Sequence, residues 1–169
     1  DNSYKKVLAI FEEHFKEKPF LLGNFPSSCD FAVYGQFTQL VGFDPTPRRI
    51  AYEFSPRTVA WVSTLEDRGG LNYSEENKSL DSLSDSISDL FKELSISYIP
   101  TMIENHNAVN EGEREWSVDL AGYPWKQKSF PYQAKCLDWI RDEFKKLDTE
   151  NQEKVLNFLT ATNCQSLVE

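Results

Sequence analysis

A chain of 169 residues with 40% apolar and 14% aromatic content can bury one sizeable core, and a single globular unit over residues 1–169 is expected. Its 18 basic and 27 acidic residues leave a formal charge of -9 spread along the chain, a surface that repels phosphate backbones and anionic headgroups, so neither nucleic acid nor a membrane is an expected partner. No apolar run approaches the roughly 20 residues of a spanning helix, no signal segment follows Asp1, and three scattered cysteines, Cys29, Cys136 and Cys164, fit reduced thiols in the cytoplasm better than a disulfide framework or a zinc site.

Tyr4, Val7, Leu8, Phe11 and Phe15 recur at the spacing of one helical face, opposed by Lys5, Lys6, Glu12, Glu13 and Lys16, and predict an amphipathic helix ending before Pro19. A second helix is expected from Ser27 to about Val41. Its apolar residues lie almost all the way round, which predicts a central, buried helix. Asp44-Pro45-Thr46-Pro47 then predicts a turn. Ser55-Pro56 reads as a cap followed by proline at the first helical position, opening a third helix through Val59, Trp61, Val62 and Leu65 to a stop at Gly69-Gly70.

Asn72 to Ser79 reads as a loop. The serine-rich stretch after it keeps a helical stripe of Leu80, Leu83, Ile87, Leu90, Phe91 and Leu94, so periodicity overrides composition. Another helix begins near Tyr98 and places Ile99, Met102, Ile103 and His106 on one face before Gly112. Alternation around Ala121-Gly122, with Trp116, Val118 and Leu120 before it and Tyr123 and Trp125 after it, predicts a small β-hairpin near 115–127, with Pro124 confining its second strand to an edge. Two more helices are expected: Pro131 to Leu147, on a stripe of Tyr132, Cys136, Ile140 and Phe144, and one opened by a capping box at Thr149-Glu150-Asn151-Gln152 with Asn163 as its C-cap. The fold class is all-α.

Ser27-Ser28-Cys29-Asp30 can form a second capping box, in which Asp30 returns a bond to the Ser27 N–H and the Phe25-Pro26 side packs on Phe31 as a staple. Its context is specific. A helix with two phenylalanines, then Pro19-Phe20-Leu21-Leu22-Gly23, then Phe25-Pro26-Ser27-Ser28-Cys29-Asp30-Phe31 opening an apolar helix, resembles the centre of glutathione S-transferase C-terminal domains. Residues 4 to 67 carry the resemblance, including Ser55-Pro56-Arg57. More loosely, Tyr132-Gln-Ala-Lys-Cys-Leu and Thr162-Asn163-Cys164 resemble a bacterial branch of glutathione S-transferase-like proteins.

The resemblance implies a C-terminal-like helical bundle lacking the thioredoxin-like domain that binds glutathione in the full-length parent. In the family this helical domain lines the pocket for the electrophilic co-substrate and shares in a homodimer interface. Ser27 and Asp30 stand at the positions of its structural N-capping box, and loss of Asp30 is expected to cost about 1 kcal/mol. The catalytic Tyr, Ser or Cys belongs to the other domain, so no catalytic residue is expected in this chain. The chain alone should bind no cofactor and be inactive.

Cys29, in the first turn of its helix, is read as a packing thiol and not a nucleophile. His14, flanked by Glu12 and Glu13, is read as a surface residue, and His106 as a satisfied core histidine. With two distant histidines, neither a metal site nor a Ser-His-Asp site is expected, and no nucleotide-binding glycine motif occurs. Tyr34, Tyr98, Trp116, Trp125 and Tyr132 could line an apolar cleft, and Tyr34, Tyr98 and Trp125 are the substrate-binding candidates. The competing reading is a non-catalytic interaction or assembly module of the same fold, which an exposed apolar patch without an enclosed cleft would favour.

Overall fold

A computed structural model describes residues 2–68 and 83–169. The expected stop at Gly69-Gly70, the loop from Asn72 to Ser79 and the start of the serine-flanked helix at Leu80 lie outside the described residues. The chain divides into two compact units, Asp1–Leu90 and Phe91–Glu169.

In the first unit, helix α1 (Asn2–Glu17) buries Leu8 and Phe11 on the predicted face. Phe11 packs its ring against Phe15 and Phe37 at 5.6 and 5.5 Å between centroids, and Phe15 stacks on Trp61 at 5.0 Å. After Pro19 the chain doubles back in a tight bridge in which Phe20 and Gly23 exchange backbone bonds at 3.1 and 3.2 Å. Gly23 sits at φ 131, where a side chain would be strained. The bridge carries Phe20 and Leu21 into the core.

Helix α2 (Ser28–Phe37) runs into a π-helical turn (Thr38–Phe43), so its length matches expectation and its burial does not. Asp30, Phe37 and Val41 are its buried residues, while Phe31 is 52% exposed. Apolar side chains around a helix state what could be covered, and only the row at i, i+7 and i+11 is buried.

The predicted turn at Asp44-Pro45-Thr46-Pro47 is instead the start of α3 (Pro45–Phe54). Asp44 Oδ1 accepts from the Thr46 N–H at 3.0 Å. Both prolines fall in the first helical turn, where the missing N–H has no helical partner to lose. Ser55 then ends α3, donating its N–H to Ala51 O at 2.8 Å, and stands before Pro56 at the start of α4 (Pro56–Glu66). Helix α4 buries Thr58, Trp61, Val62 and Leu65.

Helix α5 (Asp85–Ile96) spans the division between the units; Ile87 is buried in the first, and Phe91 and Leu94 pack in the second. The second unit continues with α6 (Tyr98–Glu111), which buries Ile99, Met102, Asn105, His106 and Ala108. It ends where Gly112 adopts φ 76 and the N–H groups of Gly112 and Glu113 reach back to Val109 O and Ala108 O.

The predicted hairpin forms as β1 (Glu115–Leu120) and β2 (Tyr123–Lys128), antiparallel, with Leu120 opposite Tyr123 and Glu115 opposite Lys128. Ala121 and Gly122 both take positive φ, 54 and 89, the signature of a two-residue turn matched to strand twist.

Helix α7 (Pro131–Lys145) buries Ala134 and Leu137, not the predicted stripe: Tyr132 is 70% exposed and Ile140 40%. Each four-residue step overshoots a full turn by about 40°, so a row of three such steps walks off the face it starts on.

Helix α8 (Thr149–Ala161) takes its cap one residue earlier than expected. Asp148 Oδ1 accepts from the Asn151 N–H at 2.9 Å, and the Gln152 amide donates to Leu147 O at 3.0 Å. Its C-terminus closes through Asn163 at φ 59, with Cys164 N–H on Leu159 O at 2.7 Å and Asn163 N–H on Thr160 O at 3.2 Å. That closure seats Cys164 beside Ile99 and Leu159, with Phe91, Leu94 and Phe158 packed around them. Replacing Leu137 by Ala should cost about 2–5 kcal/mol in denaturant unfolding followed by circular dichroism, and Ile140→Ala should cost less than half as much; equal losses would mean that the predicted stripe faces the core.

Candidate functional site

Asp30 is fully buried in the first turn of α2, and its carboxylate gathers three donors. Oδ1 accepts from the Leu21 N–H at 2.8 Å; Oδ2 accepts from the Ser27 N–H at 2.9 Å and from the Ser27 hydroxyl at 2.6 Å. A buried charge is tolerable only when so surrounded, and the helix N-terminus adds its positive end. The Ser27 bond could be expected from spacing in the sequence; the Leu21 bond could not, because it needs the Phe20–Gly23 bridge.

His14 is not on a solvated face. It lies three residues beyond Phe11 on the buried row of α1 and is 2% exposed. Nε2 lies 3.0 Å from Phe20 O and must donate to it, which leaves Nδ1 as the acceptor for the hydroxyls of Ser86 at 2.8 Å and Ser84 at 3.0 Å. Those hydroxyls are 2.7 Å apart and can relay one bond through the other. Burial lowers the His14 pKa, against the opposing pull of the Phe20 carbonyl and the Asp30 charge. A backbone carbonyl stands where a base-orienting carboxylate would stand in a catalytic triad, so the arrangement fastens α1, the Phe20 bridge and the Ser84–Ser86 segment together.

Glu12, one of the flanking acids, is likewise engaged. It accepts from the Ser55 hydroxyl and the Arg57 N–H at 3.1 and 3.0 Å and pairs with the Arg57 guanidinium.

In the second unit the corresponding polar anchor is Asn105, which pattern reading passed over. Its Oδ1 accepts from Trp116 Nε1 at 3.1 Å and the Phe130 N–H at 2.7 Å, and its Nδ2 donates to Phe130 O at 3.0 Å. A lone asparagine between Met102 and His106 on an otherwise apolar face was the available signal. His106, buried as expected, places Nε2 2.8 Å from Asp138 Oδ1.

The substrate-binding candidates fall on three elements. Tyr34 is half-buried on α2 in the first unit; Tyr98 opens α6 and Trp125 lies on β2, both about half exposed, in the second. Trp125 Nε1 donates to Gln127 Oε1 at 3.1 Å. Trp116 belongs to the core through Asn105. Cys29 is half-buried, with Sγ 2.9 Å from the Ser27 hydroxyl, and burial raises its pKa, as it does that of Cys164. Both are therefore held as thiols at neutral pH.

The described residues also form concavities, of which two are as follows. One is an open groove of about 920 Å³ along Gly112 to Ser117 with Lys126 and Lys128; the other, of about 290 Å³, is formed by Phe43, Pro45, Arg48, Arg49 and Tyr52. Among the described residues no cluster of three His, Cys, Asp or Glu side chains could hold a metal, and no helix is long and apolar enough to cross a membrane.

Helices α1 to α4, with the buried aspartate at the head of α2, coincide with a sequence profile: residues 2–68 match "Glutathione S-transferase, C-terminal domain". Over these residues, less than half of the chain, the sequence is similar to a glutathione S-transferase C-terminal domain. No curated protein and no solved structure matches the chain. Within the matched segment, removal of Asp30 or His14 would strand buried hydrogen-bond partners.

Asp30→Ala leaves the buried Leu21 N–H unpaired as well as the Ser27 donors. Its cost should therefore reach roughly 2–3 kcal/mol, above the value for a cap alone, read as a shift in the urea midpoint; a loss below that for an ordinary cap would mean that the Leu21 bond is not formed. For His14 the folded-state pKa lies below the unfolded value of 6.5, so the unfolded chain takes up the proton first and stability falls as pH drops below that value. The wild-type midpoint should decline more steeply between about pH 7 and pH 5 than that of His14→Gln, and parallel declines would remove His14 from the account.

Proposed function

We propose that the chain serves as the helical C-terminal part of a glutathione S-transferase-like protein, with the whole of residues 1–169 acting as that part. In this reading a thioredoxin-like domain binds glutathione and supplies the catalytic group, while this chain contributes the pocket for the electrophilic co-substrate and subunit contacts in a cytoplasmic homodimer. The observation that carries it is the family match across α1 to α4.

The chemistry of the thiols supports the division of labour. Conjugation needs a thiolate stabilised by a directed donor, and Cys29 and Cys164 are both shifted toward the protonated form. Tyr34, Tyr98 and Trp125 remain the proposed substrate-contacting residues, and Ser27 with Asp30 the proposed family capping box. The Asp30 carboxylate bonded to the Ser27 N–H and to the Leu21 N–H supports a structural role for that pair.

One observation favours the second reading, a non-catalytic assembly module. Phe130, Tyr132 and Trp139 stand about half exposed or more at the start and along one side of α7, with Tyr132 and Trp139 in edge contact at 6.0 Å and Lys135 over the Trp139 ring. Such a patch is the kind that partners cover.

Calorimetric titration of the chain with glutathione at millimolar concentration should give no binding isotherm, and conjugation to an aryl halide should not exceed the buffer rate. A saturable isotherm would overturn the proposed division. Activity restored by a supplied thioredoxin-like domain, and lost again on Trp125→Ala, would favour the transferase reading over the assembly module.

A further inference from the structure

The smaller concavity, in the first unit, runs against the charge of the chain. Phe43, Pro45, Arg48, Arg49 and Tyr52 line its volume of about 290 Å³. Its charged members are both arginines, in a sequence of 18 basic and 27 acidic residues. Phe43 is 78% exposed and Tyr52 54%, so the cleft holds two aromatic rings largely in water.

Local structure brings these residues together. Phe43 is the last residue of the π-helical turn and Pro45 the first of α3, so the cleft begins at the corner between the two. Pro45, Arg48, Arg49 and Tyr52 then follow at the i, i+3, i+4, i+7 spacing of one helical face. Ile50 and Ala51 are the buried residues of the same helix, which leaves the cleft residues on its outer side.

The two arginines are differently engaged. Arg49 Nη1 donates to both carboxylate oxygens of Glu53, at 2.9 and 3.0 Å. The Arg48 guanidinium lies over the Tyr52 ring, 5.7 Å from its centroid, and has no carboxylate partner among the described residues. Asp44, one turn earlier, does not line the cleft, and its Oδ1 accepts from the Thr46 N–H at 3.0 Å. Pro45 and Pro47 remove two N–H groups from the first turn of α3, so an anion here is held by a side chain and not by backbone amides. A guanidinium stacked on a ring keeps its N–H edge available, and that planar fork matches the two oxygens of a carboxylate.

We propose that this cleft binds a small aromatic carboxylic acid in its ionised form. Arg48 takes the carboxylate in its fork, and the ring of the ligand packs on Phe43, Pro45 and Tyr52. A bare inorganic anion would leave those apolar walls in water, and a neutral ring would leave the guanidinium unmatched. The volume stands at the lower end of small-molecule sites, which suits an acid of one or two fused rings. Tyr34, Tyr98 and Trp125 are not among the lining residues, so the site goes beyond the electrophile pocket proposed above and needs no thioredoxin-like domain.

The test titrates 2-naphthoate into the full chain and follows the backbone amide signals by NMR, with 2-naphthamide as the neutral counterpart and acetate as the anion without a ring. Naphthoate should saturate at millimolar concentration or below and move the signals of Phe43, Arg48 and Tyr52, and the other two should bind at least tenfold more weakly. Arg48→Gln should weaken naphthoate binding roughly tenfold, and Phe43→Ala should weaken it several-fold. Both positions are exposed, so the circular dichroism spectrum and melting temperature should stay as they are. Arg114→Gln in the second unit makes the same change of charge away from the cleft and should leave the affinity unaltered. Absence of saturation at millimolar naphthoate, equal binding of the amide or of acetate, or an Arg48→Gln variant that binds like the wild type or no worse than Arg114→Gln would overturn the proposal.

Discussion

The first unit depends on one buried charge. The Asp30 carboxylate sits where water cannot reach it and is stable there because three donors and a helix N-terminus converge on it. One of those donors belongs to Leu21, in the bridge that reverses the chain after α1. The same bridge gives its Phe20 carbonyl to His14. The reversal is thus held by a carboxylate on one side and an imidazole on the other, and that places Phe20 and Leu21 in the core formed with Phe11, Phe37 and Trp61. A neutral, packed alternative at position 30 could fill the volume, but it could not accept the bonds that set where α2 begins.

The second unit uses an uncharged version of the same device. Asn105 accepts from the Trp116 indole and the Phe130 backbone and donates to the Phe130 carbonyl, so one side chain on α6 fixes both the root of the hairpin and the entry to α7. In each unit buried polar side chains fasten a connection that regular secondary structure does not, and apolar packing fills in around them.

Helix type and order were legible because they rest on local periodicity and caps: α1, α4, α6 and the hairpin follow their patterns closely. What failed shares one cause. The exposed flank of α2, the outward Tyr132 and Ile140 of α7 and the buried His14 all concern which neighbour lies against a face, and a single helix's pattern does not contain its neighbours. Asp44-Pro45-Thr46-Pro47 was a different failure, since proline stops a helix from within but starts one from its first turn. Of the candidate site, Asp30's bond to Ser27 was readable at three residues' separation. Its bond to Leu21, the Ser84 and Ser86 contacts of His14, and the role of Asn105 depend on chain reversals that no local spacing encodes.

The placement of tryptophan makes these units separately observable. Trp61 is buried in the first unit, stacked on Phe15, and Trp116 is buried in the second, hydrogen-bonded through its indole to Asn105, whereas Trp125 and Trp139 are about half in solvent. Indole emission shifts with the polarity around the ring, so the two interior tryptophans act as built-in optical probes of two different cores. With Trp125 and Trp139 replaced by phenylalanine, and Trp61 or Trp116 removed in turn, the remaining emission reports one core at a time, and the cooperativity between them becomes a quantity that can be read directly from light.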